Sequence, residues 1–340
     1  MRSKPPCWKT GAGGGVFHLS IHATIEKVPP GTHGLGKVTG SPPVRKRRLV
    51  YLSGLMDIAL ATSAALPGLS SDDRLLLLAL LRAGVDAEPV VWEDPYYEWG
   101  DVRACMVRSA WDYAFRRDAF VRWARSVGNR TPLWNSAAVV EWNTHKRYLL
   151  DLAAAAVPVV PTRVLTSGTP VDLAALLDET GWDRAVLKAA VAQTGRYLMA
   201  VDRDAVSAGQ RHLDRLLPHE DMLLQPYLES ITTNGEVSLV FLEGELSHAA
   251  VKRAPSGDFR VHDDFGGTLD LHTPSDAEVA VGRAALAAVE EPLLHARVDL
   301  VNGDDGPLVM ELELVEPDLY FRVAAGSADR CAAAIRDRLH

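Results

Sequence analysis

The segment RVDLVNGDDGPLVMELELVEPDLYF, residues 297–321, limits the folds open to this chain more than any other stretch. Two apolar runs, 296–301 and 308–314, flank the turn sequence NGDDG and read as a β-hairpin. Asp299 then stands mid-strand, and Glu311 and Glu313, two residues apart, project to one side of the returning strand. Leu312 and Leu314 bury the other side. Three carboxylates therefore crowd one sheet face. Buried like charges repel, and each desolvated carboxylate is costly without a partner. A divalent cation relieves that cost, and ligands that are all oxygen suit magnesium or manganese shared with phosphates. The plainer alternative is the solvated face of an edge strand. Glu316 is either a further member or solvated.

Other segments carry weaker signals of the same kind. Lys188 sits inside the apolar strand of AVLKAAVAQTGRYLMAV. A buried lysine is expensive unless it meets an anion, though lysines also snorkel from strand ends. In LLQPYLESI, residues 223–231, Pro226 removes a backbone donor, so the strand leaves its ladder there. The main chain it exposes can read an adenine edge or simply end a strand. KRAPSGDFRVHDDFGGT, residues 252–268, combines Lys252, Arg253, Arg260 and His262 with a Gly266–Gly267 pair. Guanidinium groups match phosphate oxygens. Asp258, Asp263 and Asp264 favour a solvated loop of mixed charge instead.

The chain divides by pattern. Residues 1–55 contain GAGGG, PPGTHGLG and SPPVRKRR with no sustained apolar period, a disordered composition. A start codon placed too early or a flexible tail is the expected account of this leader, ahead of a targeting role, and it receives no function. From residue 56 strands and helices alternate: strands at 58–61, 87–92 and 105–108, helices at 73–83 and 117–127. This suits a parallel sheet with helices on both faces. No GxGxxG follows the first strand, so the dinucleotide fingerprint is missing. A helix is expected over 144–155 and strands at 161–165, 185–190, 198–201, 222–227, 236–242 and 245–254. A helix over 276–290 precedes the hairpin. The second half is thus α+β, with antiparallel pairs.

Charge narrows the partners. The whole chain has 36 basic and 44 acidic side chains, but residues 1–50 hold nine of the basic ones and a single acid. The acidic remainder argues against broad nucleic-acid binding. Asp57 breaks the apolar run after RKRR, and the stretch is too short for a membrane span. Cys7, Cys105 and Cys331 are far apart and lack a CxxC, against a disulfide framework or zinc site and in keeping with a reducing cytoplasm.

Together these residues resemble the ATP-grasp superfamily, in the branch of bacterial glutathione synthetase and the glutamate ligase RimK, over about residues 140–320. The resemblance implies an ATP-grasp fold, α/β and α+β. It comprises an N-terminal preATP-grasp domain (56–140), a central lid subdomain (141–225) and a C-terminal antiparallel ATP-binding subdomain (226–330). It implies ATP and magnesium or manganese as cofactors. Lys146 and Lys188 would contact the nucleotide, Gln225, Pro226, Tyr227 and Leu228 would form the adenine hinge, and Glu236 would lie near the ribose. Asp299, Glu311 and Glu313 would be the metal ligands. Arg253, Arg260 and Gly266–Gly267 would hold the transferring phosphate, with Arg260 stabilising it. Two departures stand out: Glu313 occupies the usual place of Asn, and the loop after Lys188 has only Gly195.

The wording VRSAWDY (107–113), TPLWNSAAVVEWNTHKRYLL (131–150) and MELELVEPDLYF (310–321) is similar to the D-cycloserine synthetase group, which uses ATP to close O-ureido-D-serine into a ring. VRSAWDY ends a strand where open α/β sheets bind ligands. Arg108, Trp111, Asp112 and Tyr113 would then touch the amino-acid end of a substrate, or else cap and pack a helix. The implied activity is an ADP-forming carboxylate–amine ligase acting on a small amino-acid-like carboxylate and an amine through an acyl phosphate. A homodimer is common among such enzymes. A kinase that stops at phosphorylation and a non-catalytic nucleotide-binding protein are the rivals. On this reading Glu311→Gln abolishes turnover and leaves the fold intact.

Overall fold

The computed structural model describes residues 55–193, 195–255, 260 and 266–340. The first sheet is built from β1 (Met56–Thr62), β2 (Ala87–Val91), β3 (Val102–Val107) and β4 (Leu133–Trp134). Its order is β2-β1-β3-β4, with every pair parallel. Its strands are apolar on both sides because both faces are covered. Ile58, Leu60, Ala104 and Met106 face α1 (Ser71–Arg82). Their alternates Ala59, Ala61, Cys105 and Val107 face α2 (Arg117–Gly128). The Ser70 hydroxyl caps α1 by accepting from the Asp73 N–H at 3.1 Å.

Next come α3 (Ala137–Asn143) and α4 (Tyr148–Ala154). The continuous helix expected over 144–155 is therefore interrupted, and Lys146 sits in the turn between two helices. There its N–H donates to the Ala190 carbonyl at 2.8 Å.

The second sheet contains β5 (Arg163–Leu165), β6 (Arg184–Ala189), β7 (Met199–Asp202) and β8 (Met222–Pro226) in the antiparallel order β5-β8-β6-β7. Helices α5 (Leu173–Thr180) and α6 (Val206–Leu216) cover it through Leu173, Leu177, Leu213 and Leu216. Neither helix was expected from the sequence.

After the short α7 (Ser230–Thr233) comes the third sheet: β9 (Glu236–Leu242), β10 (Glu245–Arg253), β11 (Thr268–His272), β12 (His295–Gly303) and β13 (Gly306–Glu313). It runs β11-β10-β9-β12-β13, antiparallel throughout. The helix α8 (Asp276–Ala287) carries a complete capping box between Ser275 and Glu278. Its Gly282 lets the helix lie against Leu239 and Phe241: an added Cβ would meet Leu239 at 2.7 Å.

The hairpin of β12 and β13 forms as expected, pairing Asp299 with Glu311, but with a bulge. Leu300 pairs with Val309, so Met310 is the extra residue. On a regular strand Val309 would share the face of Glu311 and Glu313. The bulge separates them, leaving Val309 buried beside Leu312 and Leu314. Side chains also seal the outer edge of β13. Asn143 donates to the Leu312 carbonyl and accepts from the Leu314 N–H, both at 2.8 Å. The Tyr148 hydroxyl accepts from the Leu312 N–H at 3.0 Å.

The last helix, α9 (Ser327–Leu339), returns to the first sheet, where Cys331, Ala332 and Ile335 join the core beneath α1. No helix among the described residues is long and apolar enough to cross a membrane.

One buried group at the start of β12 makes stability pH-dependent. Burial, reinforced by the charge of Arg108, pushes the His295 imidazole down to about 3. The unfolded chain binds a proton from about pH 6.5 downward, whereas the folded chain does so only near 3. Stability is therefore full above about pH 6.5 and falls as pH drops toward 3, by up to ~1.4 kcal/mol per unit. Urea unfolding at pH 7 and pH 5 should show that loss, and His295→Asn should flatten the part due to this residue.

Candidate active site

The second and third sheets meet the turn before α4 at a cleft. Lys146, Lys188, Gln225, Pro226, Glu236, Arg260, Glu311 and Glu313 line it, joined by Gln193 and Arg196 from the loop between β6 and β7. It encloses about 110 Å³ of open space. Eight residues expected at the site are thus brought together from segments 165 positions apart (Lys146 to Glu311).

Two ion networks form its floor. In the first, Glu311 accepts from Lys146 Nζ at 2.7 Å and from Lys188 Nζ at 3.2 Å. Burial opposes ionisation of Glu311, but the two ammonium groups outweigh it and hold its carboxyl well below the usual range. Burial lowers the pKa of Lys188. Glu311 pulls it back up, and the like charge of Lys146 lowers it again.

In the second network Asp299, 2% exposed, is held by four bonds. Arg297 grips both oxygens at 2.9 Å, Ser238 donates at 2.6 Å, and Lys252 donates at 3.1 Å. Arg297 also pairs with Glu313, and Lys252 with Glu236. Burial pushes the Glu313 carboxyl up to about 7, with Asp299 and Glu311 adding to this against the pull of Arg297.

The networks correct the sequence argument for a metal. The three carboxylates do not stand together without counter-charge: Lys146, Lys188, Lys252 and Arg297 interleave them. No group of three or more His, Cys, Asp or Glu side chains among the described residues could hold a metal ion. Asp299 accepts from Arg297, Ser238 and Lys252 and does not line the cleft. Glu311 and Glu313 do line it. Their two carboxylates are the hard oxygen donors by which the protein would hold a magnesium ion.

Other expected residues lie elsewhere. Arg108 is fully buried, with Nε donating to Asp73 at 2.8 Å and Nη2 to the Pro317 carbonyl at 2.6 Å. It ties the first sheet to the segment after β13 and is walled off from any substrate. Trp111 donates its indole N–H to the Glu316 carbonyl at 3.2 Å, and Asp112 accepts from Trp92 at 3.0 Å and pairs with Arg116. Arg253 points away from the cleft toward Asp270 at 3.3 Å. The Tyr227 N–H donates to the Arg184 carbonyl at 2.9 Å, and its ring lies 3.7 Å from the Arg184 guanidinium. The Leu228 carbonyl accepts from Ile231 at 3.2 Å at the start of α7. Gly266 and Gly267 precede β11 and do not line the cleft. Asp258, His262, Asp263 and Asp264 lie outside the described residues, as does the leader up to residue 54.

Tyr113 does reach the site, through a small inner cavity it shares with Lys146, Gln193, Glu313 and Glu316. Glu316 is buried, not solvated. The sequence reading singles out none of Gln193, Arg196, Arg297 and Ser238 by residue. Gln193 and Arg196 fall in the loop after Lys188, whose backbone is able on that reading to approach phosphate, and Arg297 is two residues from Asp299 and so on the same strand face.

Comparison with known proteins gives the family. The family model described as D-cycloserine synthetase DcsG, N-terminal domain, matches residues 58–135. The chain is 38% identical over 300 residues to the cycloserine biosynthesis protein DcsG of Streptomyces lavendulae, covering 83% of this chain and 98% of that protein. The crystal structure of D-cycloserine synthetase DcsG matches with a TM-score of 0.75 at 35% identity, over 83% of this chain and 99% of the other. A D-alanine–D-alanine ligase from Bacillus anthracis shares the fold, with a TM-score of 0.61 at 15% identity over 84% and 97% of the two chains.

Proposed function

Because the chain belongs to the DcsG family of ATP-grasp ligases, and so to the ATP-dependent enzymes that form C–N bonds, we propose that it closes a small O-ureido-serine-type amino acid into a ring. The observation that carries this reading is the convergence of two buried lysines, Lys146 and Lys188, on Glu311 at the floor of the cleft. A site that holds two desolvated cations beside open space is suited to a polyphosphate.

In this reading, residues 56–140, 141–225 and 226–330 act as the preATP-grasp, lid and ATP-binding parts. The main chain at Gln225–Leu228 receives the adenine and Glu236 the ribose. Lys146 and Lys188 neutralise the phosphates. Glu311 and Glu313 would hold magnesium, which when bound supplies charge neutralisation at the phosphate oxygens. The substrate carboxylate oxygen attacks the γ-phosphorus as the bond to ADP breaks, and Arg260 balances charge on the group in transit. A nitrogen of the same substrate then displaces inorganic phosphate from the acyl phosphate, forming the ring C–N bond. No protein nucleophile is required, so positioning and electrostatics supply the acceleration.

The test is ADP release with magnesium and O-ureido-D-serine, followed by mass analysis. A cyclic product with free phosphate is expected. A stable phosphorylated substrate would instead mark a kinase, and no ADP with any amino acid would mark a non-catalytic binder. Within the same reading, Lys188→Met weakens nucleotide binding by about 10- to 100-fold, the worth of one charge-assisted hydrogen bond. Titration with ADP checks this, and an unchanged affinity removes Lys188 from the phosphate site.

A further inference from the structure

Beside the main cleft lies a second, much smaller cavity. Lys146, Gln193 and Glu313 line both spaces, so the two adjoin. The inner one offers about 20 Å³, enough for one group the size of a water molecule. Its far wall is made by Glu316, 5% exposed, and Tyr113, also 5% exposed. The amide of Gln193 donates to the Tyr113 hydroxyl at 2.7 Å and to Glu316.

Glu316 stands apart from the other acids of the site: no ion pair reaches it among the described residues, and burial, with the charge of Glu313, holds its pKa well above the ordinary carboxyl range. Its nearby cations are committed elsewhere. Lys146 pairs with Glu311, Arg108 with Asp73, and Arg297 with Asp299 and Glu313. Neutral donors alone rarely compensate a buried acid. The cavity therefore has a carboxyl group lacking a cation and room for a single small group. An ammonium ion satisfies both conditions. The cavity also adjoins Lys146, which the ligase reading sets at the phosphates, where the substrate carboxylate must come to attack. A substrate with its ammonium one carbon from its carboxylate bridges the two spaces.

We infer that Glu316, held by Gln193 and Tyr113, binds the free α-ammonium group of the substrate and makes the enzyme selective for α-amino acids with an unsubstituted amine. This rests on the ligase reading above. It adds the substrate class and the residue that reads it.

The experiment measures ADP release from wild type and Glu316→Gln, with O-ureido-D-serine and a panel of α-amino acids, each beside its N-acetyl derivative. Wild type is expected to use only the free amines. In Glu316→Gln the KM for the free amine rises about 10- to 100-fold, and the preference over the N-acetyl form shrinks to the same extent. ADP affinity and Tm report that the variant is folded with its nucleotide site in place. Tyr113→Phe, a milder change, should raise KM without altering ADP affinity. If wild type uses free and acetylated substrates equally, the inference is overturned while the ligase reading stands. If wild type discriminates and Glu316→Gln discriminates as well with unchanged KM, the ammonium is read elsewhere and Glu316 is excluded. If no compound of either series releases ADP, the substrate reading and this inference fall together.

Discussion

Glu311→Gln lowers ATP-dependent ADP release by at least about a hundred-fold, the usual effect of removing one preorganised charge from a transfer site. Sequence reasoning expects this loss with an intact fold. The ion network changes the second half of that expectation. Glu311 is the shared partner of Lys146 and Lys188, whose side chains are 13% and 8% exposed. Glutamine leaves two desolvated ammonium groups without an anion, at a cost of about 3–5 kcal/mol for breaking a buried pair. The variant should therefore melt lower than wild type, and ATP should raise its Tm by more than it raises that of wild type, because the polyphosphate supplies the missing anion. Thermal unfolding with and without nucleotide, alongside the ADP assay, checks both. A variant with wild-type Tm and near-normal ADP release would sink the assignment of Glu311.

Arg108→Met has the largest expected effect on stability alone. Arg108 is 0% exposed, and Asp73 is 2% exposed. Methionine keeps much of the volume but leaves the buried Asp73 carboxylate without its cation, with only the Ser109 hydroxyl among the described side chains donating to it, and the Pro317 carbonyl without its donor. The expected loss is again about 3–5 kcal/mol, and each kcal/mol lowers Tm by about 2–4 °C in a chain of this size. Below its new Tm the variant should keep the wild-type KM for the amino-acid substrate. A raised KM with an unchanged Tm would return Arg108 to the substrate site.

These two residues show how far the sequence could be read. Glu311 was legible because hairpin pairing and strand alternation are local rules: a turn sequence and a spacing of two place it opposite Asp299 on a known face. Lys188 was legible because a lysine in an apolar strand requires an anion whatever surrounds it. Arg108 was not, because its partner lies 35 residues upstream. The same sequence position, the end of a β3 strand, serves equally for a substrate contact or a structural tie. Helices α5 and α6 escaped because their cores form only against the second sheet.

By itself the sequence determined the strand order of the final hairpin, the polarity of its two faces, and the set of acids and lysines from which a nucleotide site could be made. Tertiary structure alone decided how those charges are shared. Lys252 reaches Asp299 from β10 across β9, and Lys146 reaches Glu311 from a turn more than 160 residues earlier. Counter-charge is a property of distance in space, and sequence spacing carries no record of it beyond one strand or one helical turn. That is why three carboxylates read as a bare metal site, whereas the folded chain divides them into one acid held by Arg297, Ser238 and Lys252, Asp299, and two acids, Glu311 and Glu313, that face the cleft.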